Sequence, residues 1–125
     1  MAFSSTDRAV AATMNHTRKV SEFNPRTIEV RFSPGVKSAF SDLNAAVHFS
    51  EDFDPDTKSI LQRFAGNETL TISDVLPALP LIAEETFRYI RATGSRDAES
   101  AWREICSQMA QQGFELAKRR NKTPP

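Results

Sequence analysis

The sequence has little of what most enzyme and metal sites are built from. It contains one cysteine, Cys106, and two histidines, His16 and His48. One cysteine excludes an internal disulfide, and neither histidine has a cysteine or a second histidine nearby at the spacing of metal ligands. The four glycines are scattered, which excludes a glycine-rich loop that cradles a phosphate. We therefore expect no catalytic site, no metal site and no cofactor.

The chain also lacks net charge and long apolar runs. Sixteen basic residues balance sixteen acidic ones, so no overall field attracts nucleic acid or an anionic membrane. No apolar run approaches the roughly 20 residues that span a bilayer. The first residues lack the apolar block of a secretory signal. These features predict a soluble, cytoplasmic protein without membrane contact.

Length and composition indicate one folded domain. Hydrophobic residues make up 39% and charged residues 26% of 125 residues, which is a globular composition long enough to bury one core. Residues 1–24 are mostly small and polar, and we expect them to form a flexible arm that orders on a partner. The domain is predicted over residues 25–120, with a tail at 121–125. The one apolar cluster of the arm consists of Val10, Ala11, Ala12 and Met14.

The predicted domain is organised around the stretch from Asp54 to Arg91. Asp54 followed by Pro55 predicts a helix start, because an aspartate cap and a proline at the first position both favour one. Gly66 is expected to end that helix in the left-handed conformation. Alternation around Leu70 predicts a short strand at residues 69–72. The next helix, kinked near Leu79 by Pro77 and Pro80, has an apolar stripe made of Val75, Leu76, Leu79, Ile82, Ala83, Phe87 and Ile90.

Flanking patterns complete the predicted fold. Residues 26–32 alternate as a strand with one buried face, which pairs either with residues 69–72 or with its own copy in a dimer. Ser33 followed by Pro34 opens a helix. A last helix begins at Ser95 or Asp97 and is expected to run through Gly113, with a buried stripe reaching Leu116 and with Cys106 buried beside it. The fold class is α+β, mainly α, as a single compact domain of about four helices with one or two short strands.

Three acids at alternate positions are similar to the start of an EF-hand calcium loop. They are Asp52, Asp54 and Asp56. A calcium-binding loop that starts at Asp52 needs glycine at its sixth position and glutamate at its twelfth, where this chain has Thr57 and Arg63. Helix capping explains the acids, and no calcium site is predicted.

Residues 26–43, RTIEVRFSPGVKSAFSDL, are similar to the strand and first helix of ribbon-helix-helix regulators. In that family two chains pair their strands, and the outward side chains read the major groove of DNA. The resemblance implies DNA contacts by Arg18, Lys19, Arg26, Thr27, Glu29 and Arg31. The chain departs from the family where an acidic loop replaces a short glycine turn, and Glu29 would repel phosphate. Residues 70–91 separately resemble a helix-turn-helix whose turn is misplaced.

Several phenylalanines lie outside the apolar faces assigned to the core. They are Phe3, Phe23, Phe49, Phe53 and Phe114. Aromatic residues gathered outside the core favour a docking surface for another chain. The predicted contacts are Phe49, Glu51, Asp52, Phe53 and Asp54. We predict a non-catalytic protein–protein interaction module, such as an accessory subunit, an adaptor or a small inhibitor. The alternative is a homodimeric DNA-binding regulator.

Overall fold

A computed structural model describes residues 24–118, which form four long helices, one single-turn helix and a small antiparallel sheet. In chain order the elements are β1 (Ile28–Phe32), α1 (Pro34–Val47), α2 (Pro55–Ala65), β2 (Leu70–Thr71), α3 (Ile72–Val75), α4 (Ala78–Thr93), α5 (Arg96–Gln111) and β3 (Phe114–Lys118). The predicted fold class, mainly helical α+β with short strands, is confirmed.

The long helices α1, α2 and α5 begin at the side-chain caps that the sequence predicts. The caps are Ser33, Asp54 and Ser95, and each side chain accepts a hydrogen bond from the backbone N–H three residues later. Pro34 and Pro55 occupy the first positions of α1 and α2, where the missing N–H would have had no helical partner. The helix starts are therefore set locally by the sequence.

Helix α2 ends at Gly66, as predicted, but in a different conformation. Gly66 has φ −88° and ψ −166°, which is extended backbone, so the prediction of a left-handed stop is wrong. Its N–H still donates to the carbonyl of Arg63. The extended geometry leads the chain away from α2 and into β2 four residues later. Gly94 does adopt the left-handed conformation, at φ 69°, and caps α4.

The predicted kinked helix after Ser73 is two separate helices. Helix α3 ends at Val75 and α4 begins at Ala78. Proline cannot donate a helical hydrogen bond and its ring collides with the preceding turn, so the break falls at Pro77 and not near Leu79. Pro80 is tolerated because it lies in the first turn of α4.

The sheet has the order β2–β1–β3, and both pairings are antiparallel. Val30 of β1 lies opposite Leu70 on one side and Leu116 on the other. Of the two pairings that the sequence left open for β1, the structure has the one with the segment at residues 69–72. At Glu29 and Val30, β1 pairs on both sides with strands of the same chain.

Strand β3 stands where the sequence predicts the end of the last helix. Helix α5 stops at Gln111, Gly113 turns the chain at φ +64°, and the following residues pair with β1 along its whole length. The prediction that this helix continues to Leu116 is wrong, because pairing with β1 outweighs the local helical pattern. Leu116, predicted to be buried in that helix, lies on β3 and is half exposed.

The core lies between one face of the sheet and the helices. Its largest fully buried side chains include Phe40, Leu43, Phe53, Leu61, Ile82 and Ile105. The ring of Phe32 on β1 lies 5.3 Å from that of Phe40 and 5.6 Å from that of Phe64. Helix α1 packs against α5, α2 and β1, so it is the central helix. No helix within residues 24–118 is long and apolar enough to cross a bilayer.

Candidate functional site

Several residues of the segment predicted to contact a partner, residues 49–54, make contacts within the fold. Phe53 is 1% exposed, and its ring packs at 5.5 Å against that of Tyr89 on α4. Phe53 therefore lies in the core and not on the surface, where the sequence pattern placed it. Phe49 is 91% exposed and packs its ring edge against His48. Phe49 and the exposed Glu51 remain accessible to another protein.

The two aspartates of that segment belong to a polar clamp, which we define as Asp52, Asp54, Glu85 and Arg88. The backbone N–H of Asp54 donates to Glu85 Oε2 at 2.8 Å. Arg88 donates to both oxygens of Glu85, at 2.9 Å and 2.6 Å, and also to the backbone carbonyl of Asp52. The clamp joins the acidic segment to α4, so a structural role accounts for Asp52 and Asp54.

Two carboxylates of the clamp, those of Asp54 and Glu85, have lowered pKa values. The N–H and hydroxyl of Thr57 both donate to the Asp54 carboxylate and lower its pKa. The Arg88 guanidinium lowers the pKa of Glu85, helped by the N–H of Asp54. A general acid needs a carboxyl whose pKa is raised toward neutrality, whereas these two pKa values move the other way. The clamp is therefore suited to holding structure in place.

The residues that the ribbon-helix-helix resemblance assigns to DNA contacts do not lie on one common surface element. Arg18 and Lys19 lie outside the described residues. The backbone N–H of Arg26 and the hydroxyl of Thr27 both bond to Asn24 in the turn before β1. Arg31 is 65% exposed and lies 3.9 Å from Glu29 in an ion pair.

The structure also differs from both DNA-binding outlines in its topology. Ribbon-helix-helix chains pair equivalent strands across a dimer, while here β1 is the central strand of an intrachain sheet. The helix-turn-helix outline at residues 70–91 fits no better. Its first helix corresponds to the two-residue strand β2 and the four-residue helix α3.

An apolar groove lies between α4 and α5, with a volume of about 550 Å³. It is lined by Leu79, Pro80, Ala83, Trp102, Ile105, Cys106, Met109 and Ala110. The lining residues of each helix are spaced three or four positions apart, or adjacent, so they form one face. We call this surface the α4–α5 groove. Cys106 is exposed there, which corrects its prediction as a buried thiol.

The apolar surface continues beyond the groove along α4. Phe87, predicted to be in the core, is 48% exposed, and its ring packs edge-on against Trp102 at 5.9 Å. Phe87 lies one turn after Ala83 on the same face of α4. Leu76, just before α4, is 54% exposed. Large apolar side chains thus mark both ends of the α4 wall, as is typical of a contact surface.

A second, polar groove of about 680 Å³ separates α1 from α5. Its charged lining residues are Asp42, Asp97 and Glu104, and most of the others are small. Gly35 lets the helices approach at one end, where an added Cβ would lie 2.1 Å from Gln108 Oε1. Within residues 24–118 no group of three His, Cys, Asp or Glu side chains could hold a metal ion, so these acids do not form a metal centre.

No protein-family model, no curated protein and no solved structure matches this chain.

The α4–α5 groove was missed in the sequence because its residues fit the pattern of a buried stripe. Leu79, Ala83 and Phe87 recur at helical spacing, as core residues do. The sequence does contain one sign of an exposed apolar surface on α4. Leu81 adds an apolar side chain on another face of the same helix, so α4 carries more apolar surface than one buried face can use. A helix with such a surplus needs either a second neighbour or a partner.

Proposed function

We propose that this protein is a non-catalytic protein-interaction module that binds an apolar segment of a partner protein in the α4–α5 groove. The observation that carries the proposal is the lining of this groove, where each side chain is apolar or the Cys106 thiol. Grooves between two helices that expose an apolar floor commonly receive an amphipathic helix of another chain. Trp102 and Met109 are residue types enriched at such contacts.

The chemistry of the groove favours a macromolecular partner over a substrate. Sites for small molecules combine apolar walls with a few convergent polar groups that orient the ligand. A catalytic site further needs an acid, a base or a nucleophile at hydrogen-bonding distance from a second group. Cys106 is the one ionisable lining residue. These features support binding, and the accessory, adaptor and inhibitor roles all remain compatible with it.

The alternative is a homodimeric DNA-binding regulator that uses the outward face of β1. Arg31 is the exposed base on that face, and it is paired with Glu29. The Glu29 carboxylate, whose side chain is 22% exposed, repels the phosphate backbone, which supplies most non-specific DNA affinity. The α4–α5 groove is therefore the better supported site.

A charge placed in the groove tests the proposal. Ala83→Glu puts a carboxylate among the lining residues, while Ala92→Glu makes the same change at an exposed position on the opposite side of α4. Immobilised wild-type and variant chains are used to capture proteins from lysate. The dissociation constant of each purified captured protein is then measured by calorimetry.

We expect a partner whose affinity falls at least about tenfold with Ala83→Glu, a loss of about 1.4 kcal/mol, and stays unchanged with Ala92→Glu. Thermal melts confirm that both variants fold. Partners that bind both variants equally would contradict the proposal. Light scattering of the wild-type chain with a DNA duplex at low salt tests the alternative, which requires a dimer and an affinity that falls steeply with salt.

A further inference from the structure

The first described residues contact α3, which leads along the chain to the α4–α5 groove. The backbone N–H of Ser73 in α3 donates to the carbonyl of Pro25 at 3.1 Å. Helix α3 leads within a few residues to Leu79 and Pro80, which line the groove. Residues 1–23 therefore join the fold near the start of α4.

The preceding chain is long enough to reach the groove. Six residues separate Ser73 from Leu79, a distance of at most about 20 Å, since a chain extends by about 3.3–3.6 Å per residue. Ten residues separate Met14 from Asn24 and can span about 35 Å. Met14 and the residues before it can thus lie anywhere along the groove.

Residues 1–23 also contain apolar side chains that could fill the groove. Apart from Met1, Ala2 and Phe3 at the start of the sequence, their apolar cluster is Val10, Ala11, Ala12 and Met14, and the residues that join it to Pro25 are mostly polar. Small alanines fit between closely packed helices, while Val10 and Met14 supply apolar surface to fill the wider parts. The chain thus carries an apolar segment within reach of an apolar groove, and the residues that join them are polar enough to remain in water.

We propose that residues 10–14 occupy the α4–α5 groove of the same chain. A tethered segment competes at an effective concentration in the millimolar range, so it excludes weak ligands and yields to tight ones. If the proposed function is right, the segment restricts that site to partners whose affinity exceeds this competition. The occupancy itself does not depend on the partner.

Cys106 provides a direct test, because it is the single cysteine of the chain and lines the groove. We measure its rate of alkylation by N-ethylmaleimide, a neutral reagent, in the full chain. The variant Val10→Asp/Met14→Asp places charges in the segment. Ser5→Asp/Thr17→Asp adds the same charge to the same arm outside the segment and serves as the matched control.

We expect alkylation of Cys106 to be about tenfold faster in Val10→Asp/Met14→Asp than in the wild type, and unchanged in the control variant. That ratio corresponds to about 1.4 kcal/mol of docking free energy. Equal rates in all three chains would overturn the proposal. Equal acceleration in both variants would also overturn it, because the effect would then come from charge anywhere in the arm.

A second measurement separates this chain's own segment from that of a second copy. Ala12→Cys is oxidised at several protein concentrations, and the products are separated by size. A disulfide with Cys106 within one chain, formed at a rate independent of concentration, supports the proposal. Disulfides only between chains would overturn it in favour of exchange between copies.

The two proposals can fail separately. If Cys106 reactivity ignores the arm substitutions while Ala83→Glu still loses its partner, the segment does not occupy the groove but the groove binds a partner. If the arm protects Cys106 while every partner ignores Ala83→Glu, the groove serves the chain's own segment and the proposed function is wrong.

Discussion

The carboxylate of Glu85, near the middle of α4, accepts a hydrogen bond at 2.8 Å from the backbone N–H of Asp54, 31 residues earlier. Asp54 is also the N-cap of α2, so this contact links the start of one helix to the side of another. The acidic segment before α2 is thereby fixed to the body of the fold. The side chains of Glu51, Asp52 and Asp54 themselves stay exposed.

The clamp predicts loss of stability in acid. Arg88 lowers the pKa of Glu85 below its ordinary 4.5, and Thr57 lowers that of Asp54 below 3.8. A carboxyl whose pKa is lower in the folded chain stabilises the fold above its unfolded pKa, and this contribution disappears as the pH falls through the folded pKa. We expect the free energy of unfolding to fall between about pH 5 and pH 2, as measured by urea titration at each pH.

The control for the acid prediction is a substitution at each of two neighbouring glutamates. Glu85→Gln removes one clamp carboxylate and should flatten the dependence of unfolding free energy on pH. Glu84→Gln, at the exposed position beside it, should leave that dependence unchanged. The same slope in both variants would show that the clamp does not cause the acid sensitivity.

Truncation of two phenylalanines four positions apart should change the stability of the fold by very different amounts. Phe53→Ala leaves a cavity against Tyr89 and should cost about 3–5 kcal/mol of unfolding free energy. Phe49→Ala removes a ring that is 91% exposed and should change stability by less than about 0.5 kcal/mol. Urea denaturation followed by circular dichroism measures both. Similar losses in the two variants would contradict the burial that separates them.

Much of the fold could be predicted because its signals are local. A cap such as Ser33 or Asp54 bonds three residues ahead, and proline acts on its own turn. Alternation at residues 26–32 likewise marks β1 whatever it pairs with. These elements need no information from distant parts of the chain.

The errors fall where distant contacts decide the structure. Leu116 follows Met109 at helical spacing, but pairing with β1, some 85 residues away, makes residues 114–118 a strand. Phe53 stands in an acidic loop and has no periodic neighbours, yet packing against Tyr89 buries it. The α4–α5 groove could not be recognised because exposed and buried apolar stripes have the same spacing.

Removal of a buried hydroxyl on α4 is expected to stabilise the fold. Thr86 on α4 is fully buried, and within the described residues its Oγ1 has no hydrogen-bond partner. A buried polar group left without a partner costs about 1–3 kcal/mol. Thr86→Val keeps the shape and β-branching while removing the hydroxyl, so we expect it to raise the unfolding free energy by about 1 kcal/mol.

Thermal or urea unfolding measures the effect of Thr86→Val. Thr86→Ser is the matched control, since it keeps the hydroxyl and removes only the methyl group. It should destabilise the fold by about 1 kcal/mol. A loss of stability in Thr86→Val would mean that the hydroxyl contributes a favourable interaction.

Gly113 is expected to decide whether β3 forms. It turns the chain from α5 into β3 at φ +64°, where an added Cβ would lie 3.3 Å from the Met109 carbonyl oxygen. A left-handed conformation costs an L-residue about 1–2 kcal/mol. Gly113→Ala should therefore destabilise the fold by at least about 1 kcal/mol and favour continuation of α5 into the residues of β3.

Hydrogen exchange of the backbone amides distinguishes this local effect from general loosening. In Gly113→Ala the amides of β3 should lose more protection than the fall in global stability explains, while those of α2 should lose only as much as that fall requires. Asparagine adopts the left-handed conformation more readily than alanine, so Gly113→Asn should recover part of the loss. If alanine and asparagine are tolerated as well as glycine, the left-handed turn does not control the pairing of β3 with β1.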